Sequence, residues 1–186
     1  MTKYNLPKTI NVQETEYQIT NSCDYRVVLD IMEALKDEEL NEGEQLYCAL
    51  CIFIGEEVVK GFDEAKIIEA CKQMFYVINV GEKSESKAPK PQLMDWIYDF
   101  NEIVSAVSRV LGYDIRDEEK ITHWWSLIGA YKEVGECGFS AIIGIRKKML
   151  KGKQLESWER EFCDNNPELI YLPRLSAEDR AWLEED

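Results

Sequence analysis

Six cysteines and one histidine are the residues of this 186-residue chain with the widest chemical range. The cysteines are Cys23, Cys48, Cys51, Cys71, Cys137 and Cys163. Cys48-Ala49-Leu50-Cys51 has the spacing of a CxxC, which as a thiolate pair can bind zinc or exchange a disulfide. It lies inside the apolar run Leu46 to Ile54, with no Gly, Pro or Trp to shape a redox turn and no second CxxC. Small apolar core residues are the favoured reading, kept reduced in a cytosol. No metal and no cofactor is expected. His123 precedes Trp124 and Trp125. As a base or ligand, with Asp117 or Glu118 near in sequence, it would make a small hydrolase or metal enzyme. It has no second histidine to work with and no evident nucleophile beside it. Tryptophans inside a helix usually anchor a core or an interface, so packing or partner contact is favoured over catalysis.

Charge supplies the other chemistry. There are 36 Asp and Glu against 22 Lys and Arg, a net charge of −14 and a pI near 4.6. So acidic a surface repels phosphate backbones and anionic membranes, and neither nucleic acid nor membrane is an expected partner. No apolar run approaches the roughly 18 residues of a spanning helix. Met1-Thr2-Lys3-Tyr4-Asn5 lacks the apolar core of a signal peptide, which places the chain in a cytosol. Arg146-Lys147-Lys148, with Lys151 and Lys153, is the one basic run, and no acid occurs between Cys137 and Leu155. It suits either a solvated helix end, which is favoured, or a contact for an acidic partner. The abundant carboxylates, such as Asp37-Glu38-Glu39 and Glu56-Glu57, fall in expected loops and helix ends. No GxxxxGK[ST], GxSxG, HExxH or EF-hand pattern is present, so no catalytic residues are assigned and the chain is not expected to be an enzyme.

The elements that position these residues are mostly helical. Thr9-Ile10-Asn11-Val12 and Tyr17-Gln18-Ile19 alternate in polarity and predict a short hairpin around Gln13-Glu14-Thr15-Glu16. Asp24 is placed to cap a helix carrying Val27, Val28, Ile31, Met32 and Leu35. Asn41 and Glu44 resemble a capping box ahead of Leu46, Tyr47, Leu50, Phe53 and Ile54. Gly61 breaks the chain, and Asp63 caps a stripe of Ile67, Ile68, Cys71, Met74, Phe75 and Ile78. Residues 81–93 (Gly81 to Leu93) are nearly devoid of apolar side chains and read as a flexible linker between an N-terminal part, 1–80, and a C-terminal helical part, 94–186, which could also form one domain with the first. The net charge is −7 on each side of Leu93, with 10 basic and 17 acidic residues before it and 12 and 19 from it onward.

The second part reads as helices too. One carries Ile97, Phe100, Ile103, Val104, Val107 and Leu111, closed by Gly112. The next has Asp117-Glu118-Glu119 in its first turn and Ile121, Trp124, Trp125, Ile128 and Tyr131 on its stripe. Further helices follow from Phe139 towards Met149 and through Leu155, Trp158 and Phe162, with a last short turn from Ser176 and Asp179. The fold class is mainly α: a helical bundle with a small N-terminal β-hairpin.

Three blocks of the sequence resemble the bacteriophage gene-product-fifteen family of siphophages and Gram-positive prophages. They are the hairpin leading into Ile19-Thr20-Asn21-Ser22-Cys23-Asp24-Tyr25-Arg26; the stretch Asp95-Trp96, Asp99, Ile103, Ala106 and Gly112-Tyr113-Asp114-Ile115; and Ile121-Thr122-His123-Trp124-Trp125, Leu127, Phe139, Ile142 and Ile145-Arg146. The His-Trp-Trp followed by Ile-Arg is the most specific part. The family's genes lie just upstream of the tape-measure gene. The resemblance therefore implies a tail assembly chaperone that binds the tape-measure protein and assists tail tube assembly in the host cytoplasm. It also implies the tail tube protein and a companion chaperone as further partners, and absence from the mature virion. A structural tail or head-completion component retained in the particle is the alternative. Trp124, Trp125, Arg146, Lys147 and Lys148 are the residues expected at a partner surface.

Overall fold

The computed structural model describes residues 5–82 and 92–172. Among them are a two-stranded hairpin and nine helices. The chain divides into two compact units that interleave along the sequence: residues 1–85 with 117–129, and residues 86–116 with 130–186. A later segment, 117–129, thus returns to the first unit. Most of the linker, the turn expected from Ser176 and the acidic end lie outside the described residues.

The first unit opens with strands β1 (Thr9–Val12) and β2 (Thr15–Gln18), paired antiparallel with Thr9 opposite Gln18 and Val12 opposite Thr15. Ile10 and Val12 are buried while Asn11 faces out, the alternation that a half-buried strand requires. The connection is shorter than its sequence suggests. Only Gln13 and Glu14 form the turn, both with positive φ (48° and 65°). Such mirror-image turns match the right-handed twist of the strands, and Asn-Gly usually fills them. A second left-handed stretch follows at once. Asn21, Ser22 and Cys23 have φ of 46°, 54° and 63°. Left-handed geometry costs roughly 1–2 kcal/mol for each residue with a Cβ, so surrounding contacts must hold this turn. Two backbone bonds do so, Ser22 N–H to the Ile19 carbonyl and Asp24 N–H to that of Asn21, and the Cys23 side chain is fully buried.

Helices α1 (Tyr25–Ala34), α2 (Glu42–Ile54), α3 (Glu56–Val59) and α4 (Glu64–Ile78) complete this part of the unit. Their starts follow the expected caps. Asp24 accepts from the Arg26 amide, Asn41 and Glu44 close a full capping box, and Asp63 accepts from Lys66. α1 packs on α2, α2 on α4, and α4 on β1. Val28, Ile31, Leu50, Phe53, Met74 and Val77 are fully buried.

The second unit contains α5 (Phe100–Leu111), α7 (Gly138–Leu150), α8 (Ser157–Asn165) and α9 (Pro167–Ile170). Gly112 ends α5 in the left-handed conformation, φ 77°. Ile142, Ile145, Cys163 and Ile170 form a buried cluster, with Met149, Leu155, Phe162 and Leu169 packed against it. α6 (Trp124–Lys132) begins in the first unit and ends in the second. Its start corrects the expectation of acids in a first turn at Asp117. Residues 117–123 stay non-helical because Thr122 and His123 are held extended against the start of α1, as described below. No helix of the described residues is long and apolar enough to cross a membrane.

The hairpin turn generates a prediction. Replacing Gln13 by Asn and Glu14 by Gly relieves two left-handed residues and should raise stability by about 1 kcal/mol. Urea denaturation measures this, and an unchanged or lower midpoint would contradict the turn geometry.

Candidate functional site

The residues singled out by chemistry gather at two polar centres, one in each unit. In the first, Asp24 and His123 lie opposite each other in an isolated antiparallel bridge. The Tyr25 amide donates to the Thr122 carbonyl at 2.9 Å, and the Thr122 amide donates to Asp24 Oδ2 at 2.8 Å. Asp24 Oδ1 accepts from the Arg26 amide at 3.0 Å. The Arg26 guanidinium reaches back to the Asp24 carboxylate at 3.4 Å and donates to the carbonyls of Asp117 and Lys120. One buried carboxylate thus ties the helix start to a segment 98 residues away.

His123 is used on both sides of its ring. Nδ1 accepts from the Trp125 amide at 3.0 Å and so caps α6. Nε2 is therefore the protonated nitrogen and donates to the Pro7 carbonyl at 2.9 Å. Burial lowers the His123 pKa most; Lys8 pushes the same way, while the Pro7 carbonyl and Asp24 oppose. A second proton on Nδ1 would face the Trp125 N–H, donor against donor. The ring is thus committed to a neutral structural state. The two tryptophans that follow both close the end of α4. Trp124 Nε1 donates at 2.8 Å to the Ile78 carbonyl, which the helix end leaves open, and Trp125 Nε1 donates at 2.7 Å to the Val77 carbonyl, which also accepts from the Val80 amide. Trp124 is buried; Trp125 is half-buried and meets Tyr76 edge-on.

The cysteines divide by surroundings. Cys23 is buried and its pKa is pushed up to about 12, chiefly by desolvation, with the Trp124 amide opposing and Asp24 adding. Burial also raises Cys51 and Cys71. Such thiols are poor nucleophiles at neutral pH. Cys137 instead caps α7, its sulfur accepting from the Ser140 amide at 3.4 Å. Among the described residues no group of three or more potential metal ligands forms.

The second centre is Arg146. It sits on the buried stripe of α7 with Ile142 and Ile145 and is 4% exposed. Its fork grips both carboxylate oxygens of buried Asp99 at 2.8 Å. Its remaining donors go to the carbonyls of Leu93 at 2.9 Å, Ile170 at 3.1 Å and Leu169 at 2.7 Å. Those bonds use all five guanidinium N–H groups. Asp99 also accepts from the Asp95 amide at 2.9 Å. The residue expected at a surface is thus the hub of the unit. Its neighbours in sequence part company: Lys147 is exposed, and Lys148 is half-buried and pairs with Glu159 at 2.6 Å. That lysine holds the Glu159 carboxyl below the usual range, with the Glu156 amide adding. Sequence reasoning missed Asp99 as a functional partner of Arg146. The available signal was position: Arg146 lies four residues after Ile142 and three before Met149, on the apolar stripe.

Together the fold and these centres define a mainly helical protein whose unusual polar residues turn inward to brace it. The chain matches the Bacteriophage Gp15 protein family over residues 3–168 and belongs to that family. No curated protein and no solved structure is significantly similar to it.

Two predictions follow from the centres. Arg146→Ala strands a buried carboxylate and should cost about 3–5 kcal/mol. Equilibrium unfolding checks it, and a loss under 1 kcal/mol would remove Arg146 from its hub role. For His123 the native pKa lies below the unfolded one, so the unfolded state binds more protons between them. The contribution of His123 is therefore complete above the ordinary histidine value near 6.5 and is lost as pH falls through that window. Comparing denaturation midpoints of the natural chain and His123→Asn at pH 7.5 and 5 isolates this. The gap between them should narrow at pH 5, and a gap that widens would contradict the neutral ring.

Proposed function

We propose that this protein is a tail assembly chaperone that binds the tape-measure protein and assists tail tube assembly. Membership of the Bacteriophage Gp15 protein family carries the reading. A surface feature supports it. α4 buries Ala70, Met74 and Val77 on one side, yet Ile68, Phe75 and Tyr76 remain 49%, 38% and 40% exposed. Ile68 and Phe75 are seven residues apart, two turns along one helix face. Tyr47 on the neighbouring α2 is exposed as well. Amphipathic cargo helices lay their apolar stripes on such ridges. Each contact would be weak, and many copies along one long cargo would gain by multivalency. The net charge of −14 keeps a sticky cargo dispersed.

In this reading the protein works in the host cytoplasm and leaves before the virion is complete, with the tail tube protein and a companion chaperone as further partners. Trp124 and Arg146 serve capture indirectly, by bracing their units. Lys147 and the open edge of Trp125 are proposed contacts, while Lys148 is held by Glu159.

Co-expression with the tape-measure protein tests the proposal. The pair should co-purify, and Ile68→Asp with Phe75→Asp should cut capture by about tenfold while leaving folding stability within about 1 kcal/mol. A cargo equally soluble and unbound with or without the chain would reject the reading. A stoichiometric signal in purified virions would instead favour a retained structural component.

A further inference from the structure

The two units differ in charge far more than the two halves of the sequence do. Residues 1–85 with 117–129 hold 9 Lys and Arg against 20 Asp and Glu, a net −11. Residues 86–116 with 130–186 hold 13 against 16, a net −3. Counting on either side of Leu93 hides this, because residues 117–120, with three acids and one base, belong to the first unit while Lys87 and Lys90 belong to the second.

Within this asymmetry each unit concentrates one sign. The second gathers cations where α7 ends. Gly152, at φ 58°, turns the chain so that the amides of Lys151 and Lys153 both bond to the Lys148 carbonyl at 3.2 and 2.9 Å. The wrap holds Lys147, Lys151 and Lys153 together, all exposed, and among the described residues none has an acid partner. Arg146 and Lys148 are committed to Asp99 and Glu159 and do not contribute. The negative end of the helix dipole stabilises the three free cations. The first unit gathers anions in the loop and capping box before α2. Residues 37–44 carry Asp37, Glu38, Glu39, Glu42 and Glu44 with no base among them, and all five acids are exposed.

We propose that the lysine ridge at the end of α7 docks on the acidic 37–44 face of a second copy of this chain. The contact is head-to-tail, since one copy offers its second unit and the next its first. Copies joined reciprocally close as a two-fold dimer, and copies joined in one direction propagate into a ring or filament. The rest of the surface, acidic in both copies, opposes any other register by like-charge repulsion. Exposed ion pairs are individually weak, so the free protein associates only at high concentration. An elongated cargo carrying several copies would raise their effective concentration. The association itself requires no cargo and stands or falls apart from the chaperone reading.

Sedimentation velocity on the full chain tests this, from about 10 μM to about 1 mM at roughly 0.1 M and 1 M salt, where the screening length falls from about 10 Å to about 3 Å. The natural chain should show concentration-dependent association that weakens about tenfold at high salt. The variant Lys147→Gln, Lys151→Gln, Lys153→Gln and the variant Asp37→Asn, Glu39→Gln, Glu42→Gln should each remain monomeric. Mixed, they should form a one-to-one complex and nothing larger, because only one complementary pair of faces remains. Circular dichroism melts within a few degrees of the natural chain establish that both variants fold. A natural chain that stays monomeric throughout, or association that survives either neutralisation, overturns the proposal.

Discussion

A buried carboxylate has to be met by donors, and that requirement organises both units. Asp24 is 2% exposed and Asp99 is 3% exposed. An ionised carboxylate at such depth is tolerable only with its oxygens occupied, and the cost of leaving one unmet exceeds the worth of most single contacts. Asp24 recruits the Thr122 amide from 98 residues away, and Asp99 recruits Arg146 from 47 away. Among the described residues no buried side-chain nitrogen or oxygen lacks a hydrogen-bond partner. Which stretch of chain belongs to which unit follows largely from where these two carboxylates find their donors.

The local level of this structure was well written in the sequence, and the long-range level was not. Asp24, Asn41 and Asp63 announce helix starts because capping is a matter of residues two or three apart. Gly112 announces a helix end for the same reason. By contrast, the acids at 117–119 look like a helical first turn until Asp24 claims Thr122 and holds the chain extended. Arg146 looks like the head of a basic run until Asp99 claims its fork. In each case the deciding partner is remote, and no spacing rule reaches it. The lack of companions pointed His123 towards packing, but its role as the cap of α6 and the anchor for Pro7 depends on contacts with no local signature. The two-residue hairpin turn was hidden because Gln and Glu seldom adopt positive φ.

These assignments shape what the surface has left to offer. The residues that first suggested chemistry, Cys23, His123, Trp124 and Arg146, are occupied in holding the fold. Among the described residues the outward features include an apolar ridge on α4, a lysine ridge at the end of α7 and the acidic face before α2. Surfaces of this kind engage polypeptides, in keeping with the function proposed for this member of the Bacteriophage Gp15 protein family.

The central claim is that residues 117–129 are built into the first unit by the Asp24 and His123 bonds. Native-state amide exchange in mild denaturant tests it directly. The amides of Thr122, Trp125 and Leu127 should open with those of α1, at one shared free energy and denaturant dependence. The amides of Ile142 and Ile145 should follow a separate isotherm. If Thr122 and Trp125 exchange together with α7, or are unprotected while α1 stays closed, the assignment is contradicted.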